Sequence, residues 1–113
     1  MNLVNRNKLE RLKRKNRGNT KLIKAVDTLI YEIENADWKN PADVKRLRPD
    51  ADNVHSDGFY FFNLNVHRTL ILIEFEENGE ATVVWAGSHQ EYEKTFKNNK
   101  NTIKKWLHDN EWI

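Results

Sequence analysis

Cysteine is absent from the 113 residues, which excludes disulfides and thiolate-held metal centres and fits a cytoplasmic setting. No apolar run approaches the roughly 18 residues that a membrane-spanning helix needs. The charged N-terminal residues never give way to the apolar stretch of a signal peptide, so no membrane partner is expected. Repeats and low-complexity linkers are missing too. A chain of this length holds one core but not two, so a single domain over residues 1–113 is expected.

Hydrophobic residues make up only 38% and charged residues 32%, against about 45–50% and about 25% in ordinary domains. Twelve aromatics, four of them Trp, nevertheless argue for a packed core. The net charge of +2 hides a strong asymmetry. Residues 1–24 carry nine bases and one acid, whereas the remainder carries ten bases and sixteen acids. A basic first helix bearing Lys13, Arg14, Lys15 and Arg17 suits a phosphate backbone or an acidic partner. The simpler alternative is a solvated face whose charges balance nearby acids.

The pattern of apolar residues predicts an α+β domain, with two N-terminal helices on a three- to four-stranded antiparallel sheet and a C-terminal helix. Residues 2–4 could form a short edge strand. Residues 7–16 form a basic helix with Leu9 and Leu12 inward, ending near Gly18, a good residue to stop a helix. Residues 20–35 carry Leu22, Val26, Leu29, Ile30 and Ile33 at helical spacing, with Asn19 as the cap. Pro41 opens a short helical turn, and residues 49–58 read as a polar loop. Strands follow at 59–64, 68–75 and 80–85, the last two joined by an Asn78-Gly79 hairpin. Residues 99–109 form the last helix, and Trp112-Ile113 fold back onto the body.

Chemistry gathers where Trp85-Ala86-Gly87-Ser88-His89-Gln90-Glu91-Tyr92-Glu93 leaves the last strand. Gly87 permits a bend, and Ser88 with Glu91 three residues later has the spacing of a capping box. His89 and Tyr92 then share a face of the first helical turn. A lone His at such a place is more often a surface residue than a catalyst. Hairpin geometry, however, puts Arg68, at the start of one strand, beside His89, at the end of the next. Asn63 ends the strand before, near the same edge, and Lys45, Arg46 and Arg48 can overhang it. Each basic residue alone suggests only solvation; their convergence suggests a cationic pocket with one imidazole, one phenol and one carboxamide. With no carboxylate pair suited to a metal, neither metal nor cofactor is expected. Such a pocket suits a phosphate, held by Arg and Lys while His or Tyr moves protons. His67 beside Arg68 is either a second titrating group or an exposed turn residue.

Over roughly residues 20–95 the chain resembles the HigB toxins of bacterial toxin–antitoxin modules, a branch of the RelE-like superfamily. The resemblance rests on Ala36-Asp37-Trp38-Lys39-Asn40-Pro41-Ala42-Asp43-Val44-Lys45, on Phe62-Asn63-Leu64, on Arg68, and on Gly87-Ser88-His89-Gln90-Glu91-Tyr92-Glu93. The last segment is similar to the family's Gly-Thr-His-x-Glu-Tyr-Asp, with Ser88 in place of Thr and Glu93 in place of Asp. The connection from Asn63 to Arg68 is two residues shorter than the family's usual hairpin.

What the resemblance implies is an mRNA interferase that cleaves mRNA on translating ribosomes without metal, paired with a HigA-type helix-turn-helix antitoxin. In that role His89 would serve as acid or base, and Arg68 would stabilise the phosphorane. Tyr92 would stack on a base or assist proton transfer. Lys45, Arg46 and Arg48 would meet backbone phosphate, as would Lys13, Arg14 and Arg17 of the basic helix, and Asn63 would orient its neighbours. Two other readings stay open: a ParE-like toxin that binds gyrase and cleaves nothing, and a non-catalytic RNA- or ribosome-binding module.

Overall fold

The computed structural model describes residues 1–113. Asn2–Val4 forms strand β1, and Asn5, at φ 63°, turns the chain directly into helix α1, Arg6–Lys15. Asparagine is among the few non-glycine residues that tolerate this left-handed conformation. Leu9 and Leu12 are the buried side of α1. The helix stops before Gly18, which lacks the positive φ of a terminating glycine. Instead Asn16 ends it, its side-chain amide donating to the Leu12 carbonyl at 2.9 Å.

Helix α2, Thr20–Glu34, is capped by the Asn19 side chain, which accepts the Leu22 N–H. It buries Leu22, Val26, Leu29, Ile30 and Ile33, the stripe its sequence spacing predicts. Helix α3, Pro41–Leu47, has Asn40 as cap and Pro41 in its first turn, where the missing N–H costs nothing.

The expected polar loop at 49–58 contains a strand, β2, Asp52–His55, in which Val54 is buried. Its polar residues give no local strand signal; pairing of Asp52 with Phe61 and of Asn53 with Tyr60 makes it one. Strands β3, Phe59–Leu64, β4, His67–Glu74, and β5, Glu80–Ser88, lead into helices α4, His89–Phe96, and α5, Lys100–Asp109. Gly79, at φ 77°, closes the predicted β4–β5 hairpin.

The sheet is five-stranded and mixed, in the order β1-β5-β4-β3-β2, rather than a three- to four-stranded antiparallel one. The exception to antiparallel pairing is β1, which lies parallel to β5. Its chain has to cross through the helices before returning, the connection that parallel pairs require.

Alternation along the strands divides the core. Tyr60, Phe62, Leu64, Ile71, Ile73, Ala81 and Val83 face α1 and α2. Phe59, Phe61, Leu70 and Val84 face α4 and α5, joined by the refolded tail of Trp112 and Ile113. Between Leu70 and Ile71 the register slips, so that Leu70 opposes Trp85 while Ile71 opposes Val83. This bulge lets the neighbours Val84 and Trp85 both pack on the second core. Beyond it β5 stays paired to Ser88, three residues past its expected end, and Arg68 comes to lie opposite Gly87.

Candidate functional site

Asn63 and Arg68 are Cα partners at the end of the β3–β4 hairpin. They occupy the same face as Phe61, because side chains on a strand alternate. The Arg68 Nε donates to Asn63 Oδ1 at 3.1 Å. Its guanidinium carbon lies 5.0 Å from the Phe61 ring centre and 4.5 Å from that of Tyr92. Two aromatic faces and one carboxamide thus hold a planar cation in a single orientation.

Opposite Arg68, Gly87 has no room for a side chain: an added Cβ would stand 2.7 Å from the Trp85 indole. Close approach, and not a positive φ, is why glycine is there. Ser88 and Glu91 form the predicted capping box, the Ser88 hydroxyl accepting the Glu91 N–H at 3.1 Å and Glu91 Oε1 accepting the Ser88 N–H at 2.8 Å. The His89 N–H donates to the Val66 carbonyl at 2.9 Å, which ties the start of α4 to the β3–β4 turn.

The His89 ring stacks on Tyr92 with centroids 5.7 Å apart and planes 27° from parallel. Its side chain is 60% exposed, with Nε2 3.5 Å from Glu93 Oε1. Arg68 and His89 therefore meet through a shared neighbour, the ring of Tyr92.

Of the two roles expected of Tyr92, stacking on a base is closed. The residue is only 1% exposed, so its faces are closed to a stacking base, and its hydroxyl donates to Asn98 Oδ1 at 2.8 Å. Burial pushes the phenol above its ordinary value, and Asp52 and Glu93 add to this while Arg68 opposes it. The side chain is a neutral platform under Arg68 and His89. His67 is neither exposed nor part of the cluster: it is 8% exposed and on the opposite sheet face by alternation. Burial pushes its imidazole below the ordinary value, partly offset by Glu91.

The other expected phosphate ligands do not converge on Arg68. Lys45 Nζ donates to the Ala51 carbonyl at 2.8 Å, and Arg46, largely exposed, pairs with Asp43. Arg48 corrects the expectation most plainly. It is 15% exposed, bound to Glu32 and Asp50 at 2.9 Å each, and sits over Phe62 on the helical face of the sheet. It also donates to the Asn63 carbonyl at 3.0 Å, while Asp50 accepts the Asn63 N–H at 2.9 Å. The pair clamps the main chain that presents the Asn63 carboxamide. On α1, Lys13 is likewise engaged, by Glu10 and Asp27, whereas Arg14 and, just past the helix, Arg17 are exposed.

Three participants were not named from the sequence. Phe61 could have been, since it lies two residues before Asn63 on one strand face. Asn98 and Asp52 carry no local signal.

Burial raises the Asp50 carboxyl, but hydrogen bonds from Arg48 and from the Asn63 N–H outweigh it and leave the group below its usual range. A carboxylate with a lowered folded pKa stabilises the fold above its unfolded value, about 4, and loses that contribution as pH falls through the folded value. The gap in melting temperature between wild type and Asp50→Asn is therefore expected to be largest near neutrality and to close below pH about 4. Thermal melts across pH 7 to 3 check this; a gap independent of pH refutes it.

Two helices on one face of a mixed sheet, with a cation, an imidazole and a phenol at the strand ends of the other, are consistent with a RelE-like toxin fold. The family model for HigB toxins, described as the RelE-like toxic component of a toxin–antitoxin system, matches residues 23–95. The chain belongs to this family. The match includes Asn63, Arg68, His89 and Tyr92 but neither α1 nor α5. No curated protein matches the chain. No helix is long and apolar enough to cross a membrane.

Proposed function

We propose that the chain, as one toxin domain, is an mRNA interferase that cleaves mRNA on the ribosome by attack of the substrate's own 2′-OH. The observation that carries this is the Arg68 guanidinium, locked by Asn63 over Phe61 and Tyr92, beside an exposed imidazole on the same Tyr92 ring. In the reaction the 2′-oxygen loses its proton and bonds to phosphorus. The 5′-oxygen leaves with a proton, and a 2′,3′-cyclic phosphate remains.

Charge builds on the non-bridging oxygens at the pentacoordinate stage, and a preorganised guanidinium stabilises it without reorganisation. His89, exposed and held at the helix start, moves the proton at one of the two oxygens. Exposed Arg14, Arg17 and Arg46 supply longer-range attraction to RNA. The toxin–antitoxin family implies an antitoxin; a HigA-like helix-turn-helix protein is the partner we infer.

Induced expression in bacteria, with mRNA 5′-ends mapped in the same cells, tests the reading. Expected are growth arrest with new cleavages within translated frames, and recovery on co-expression of the antitoxin. Arrest without new 5′-ends, unchanged in His89→Ala, overturns it in favour of a toxin that binds gyrase or the ribosome.

A further inference from the structure

A second groove lies against β5, walled by two segments outside the family match, α1 and the C-terminal segment. Its cavity of about 290 Å³ is lined by Lys8, Arg11 and Lys15 of α1, by Trp85 of β5, and by Trp106 and Trp112 of the C-terminal segment. Lys8, Arg11 and Lys15 follow one another at helical spacing and share one face. The ion pairs of α1 involve Arg6 and Lys13, so these three cations have no carboxylate partner.

The opposite wall is aromatic. Trp85 and Trp106 both meet the buried Phe96 edge-on, at 5.1 and 5.2 Å. Glu111, at φ 62°, reverses the chain, and the Trp112 N–H donates to the Leu107 carbonyl at 2.8 Å, which lays the last indole against α5. All three indoles remain half-buried.

The groove runs toward the other site. Ala86 also lines it, and the next residue of β5, Gly87, lies opposite Arg68, so the groove adjoins the strand end from which His89 follows.

We propose that this groove binds single-stranded RNA flanking the cleaved bond, an indole stacking on a base while Lys8, Arg11 and Lys15 hold the phosphates. The inference rests on RNA being the substrate. An acidic peptide would match the cations but leave the indoles unused, and an apolar one would do the reverse. Strand addition is closed, because β1 pairs with the first part of β5 and α1 packs along the same strand. Nucleic acid offers π-faces and negative charge together, the pairing that single-strand binders use. The volume is near the lower end of the roughly 300–1,000 Å³ of ligand pockets, which suits a single base.

The test is binding of a fluorescent 2′-O-methyl octauridine, which lacks the attacking hydroxyl, to the wild-type chain. Expected are quenched tryptophan emission and an affinity that falls with salt. In the triple variant Lys8→Gln, Arg11→Gln, Lys15→Gln the affinity drops at least tenfold and the salt dependence flattens. Trp112→Leu, which leaves every cation in place, weakens binding and reduces the quench.

Unchanged affinity in the triple variant, with loss in Arg68→Ala, overturns the groove while leaving the cleavage site intact. Groove-dependent binding by a chain that cleaves no ribosome-bound mRNA supports the groove and refutes the interferase. Equal competition by an octaglutamate peptide overturns RNA as the occupant.

Discussion

Arg68→Ala and His89→Ala are each expected to relieve growth arrest and to slow single-turnover cleavage of ribosome-bound mRNA by two orders of magnitude or more. A preorganised charge aimed at a developing oxyanion contributes about 10²–10³ in rate, and a placed acid or base about 10²–10⁴. Arg68→Lys should fall nearly as far as Arg68→Ala. An ammonium keeps the charge but loses the plane that lies over Phe61 and Tyr92 and the fork that meets Asn63.

Asn63→Ala should cost less, since one hydrogen bond is worth about 1 kcal/mol. Tyr92→Phe separates the two roles open to that residue. If the ring is a platform, cleavage changes little and only the bond to Asn98 is lost; a drop comparable to His89→Ala would mean that the phenol itself moves a proton. None of these variants empties the core, since Tyr92→Phe removes only a hydroxyl. Loss of activity at Arg68 or His89 in a chain that stays folded therefore isolates the chemistry. Full activity in either variant refutes the nuclease.

The site was legible where its cause is local. A capping box, the alternation of β3 and the hairpin geometry together place Asn63, Arg68, His89 and Tyr92 at one sheet end from a single chain. The helical stripes were legible for the same reason: 3.6-residue spacing is written in consecutive residues.

What escaped is set by distant partners. β2 is a short, polar edge that becomes a strand only by pairing with β3, and the parallel pairing that joins the expected edge strand β1 to β5 is likewise set from a distance. Arg48 looks like a phosphate ligand in the run Lys45-Arg46-Leu47-Arg48. Its function in the fold is decided by Glu32, sixteen residues earlier, and by the main chain of Asn63, fifteen residues later. Exposed and ion-paired cations are indistinguishable in a linear sequence, and so are an exposed and a buried tyrosine on the first turn of a helix. For the same reason the sequence pointed to Lys13, which is paired, and passed over Lys8 and Arg11, which are free.

Phe61→Ala is expected to produce the largest loss of stability, about 3–5 kcal/mol, against a total of about 5–15 kcal/mol for a domain. The ring is fully buried and meets Tyr92, Phe96 and Trp85 edge-on at 4.9, 5.2 and 6.4 Å. Removing it leaves three large rings facing a void and takes away one of the two faces under Arg68.

Phe61→Leu keeps most of the volume and should destabilise far less, yet it replaces a π-face by a branched aliphatic group. Urea denaturation and single-turnover cleavage on the same preparations separate the two consequences. A folded Phe61→Leu chain with cleavage lowered severalfold would make Phe61 a positioning residue that acts through the guanidinium. Cleavage unaltered in that variant would leave Asn63 and Tyr92 sufficient to hold Arg68, and the conjunction of Phe61 with the site would be packing alone. The two cation–π contacts of Arg68 contribute about 0.5–1 kcal/mol each, so Arg68→Ala should move the denaturation midpoint much less than Phe61→Ala. The dependence then runs one way: the core is needed to aim the cation, and the cation is not needed to keep the core.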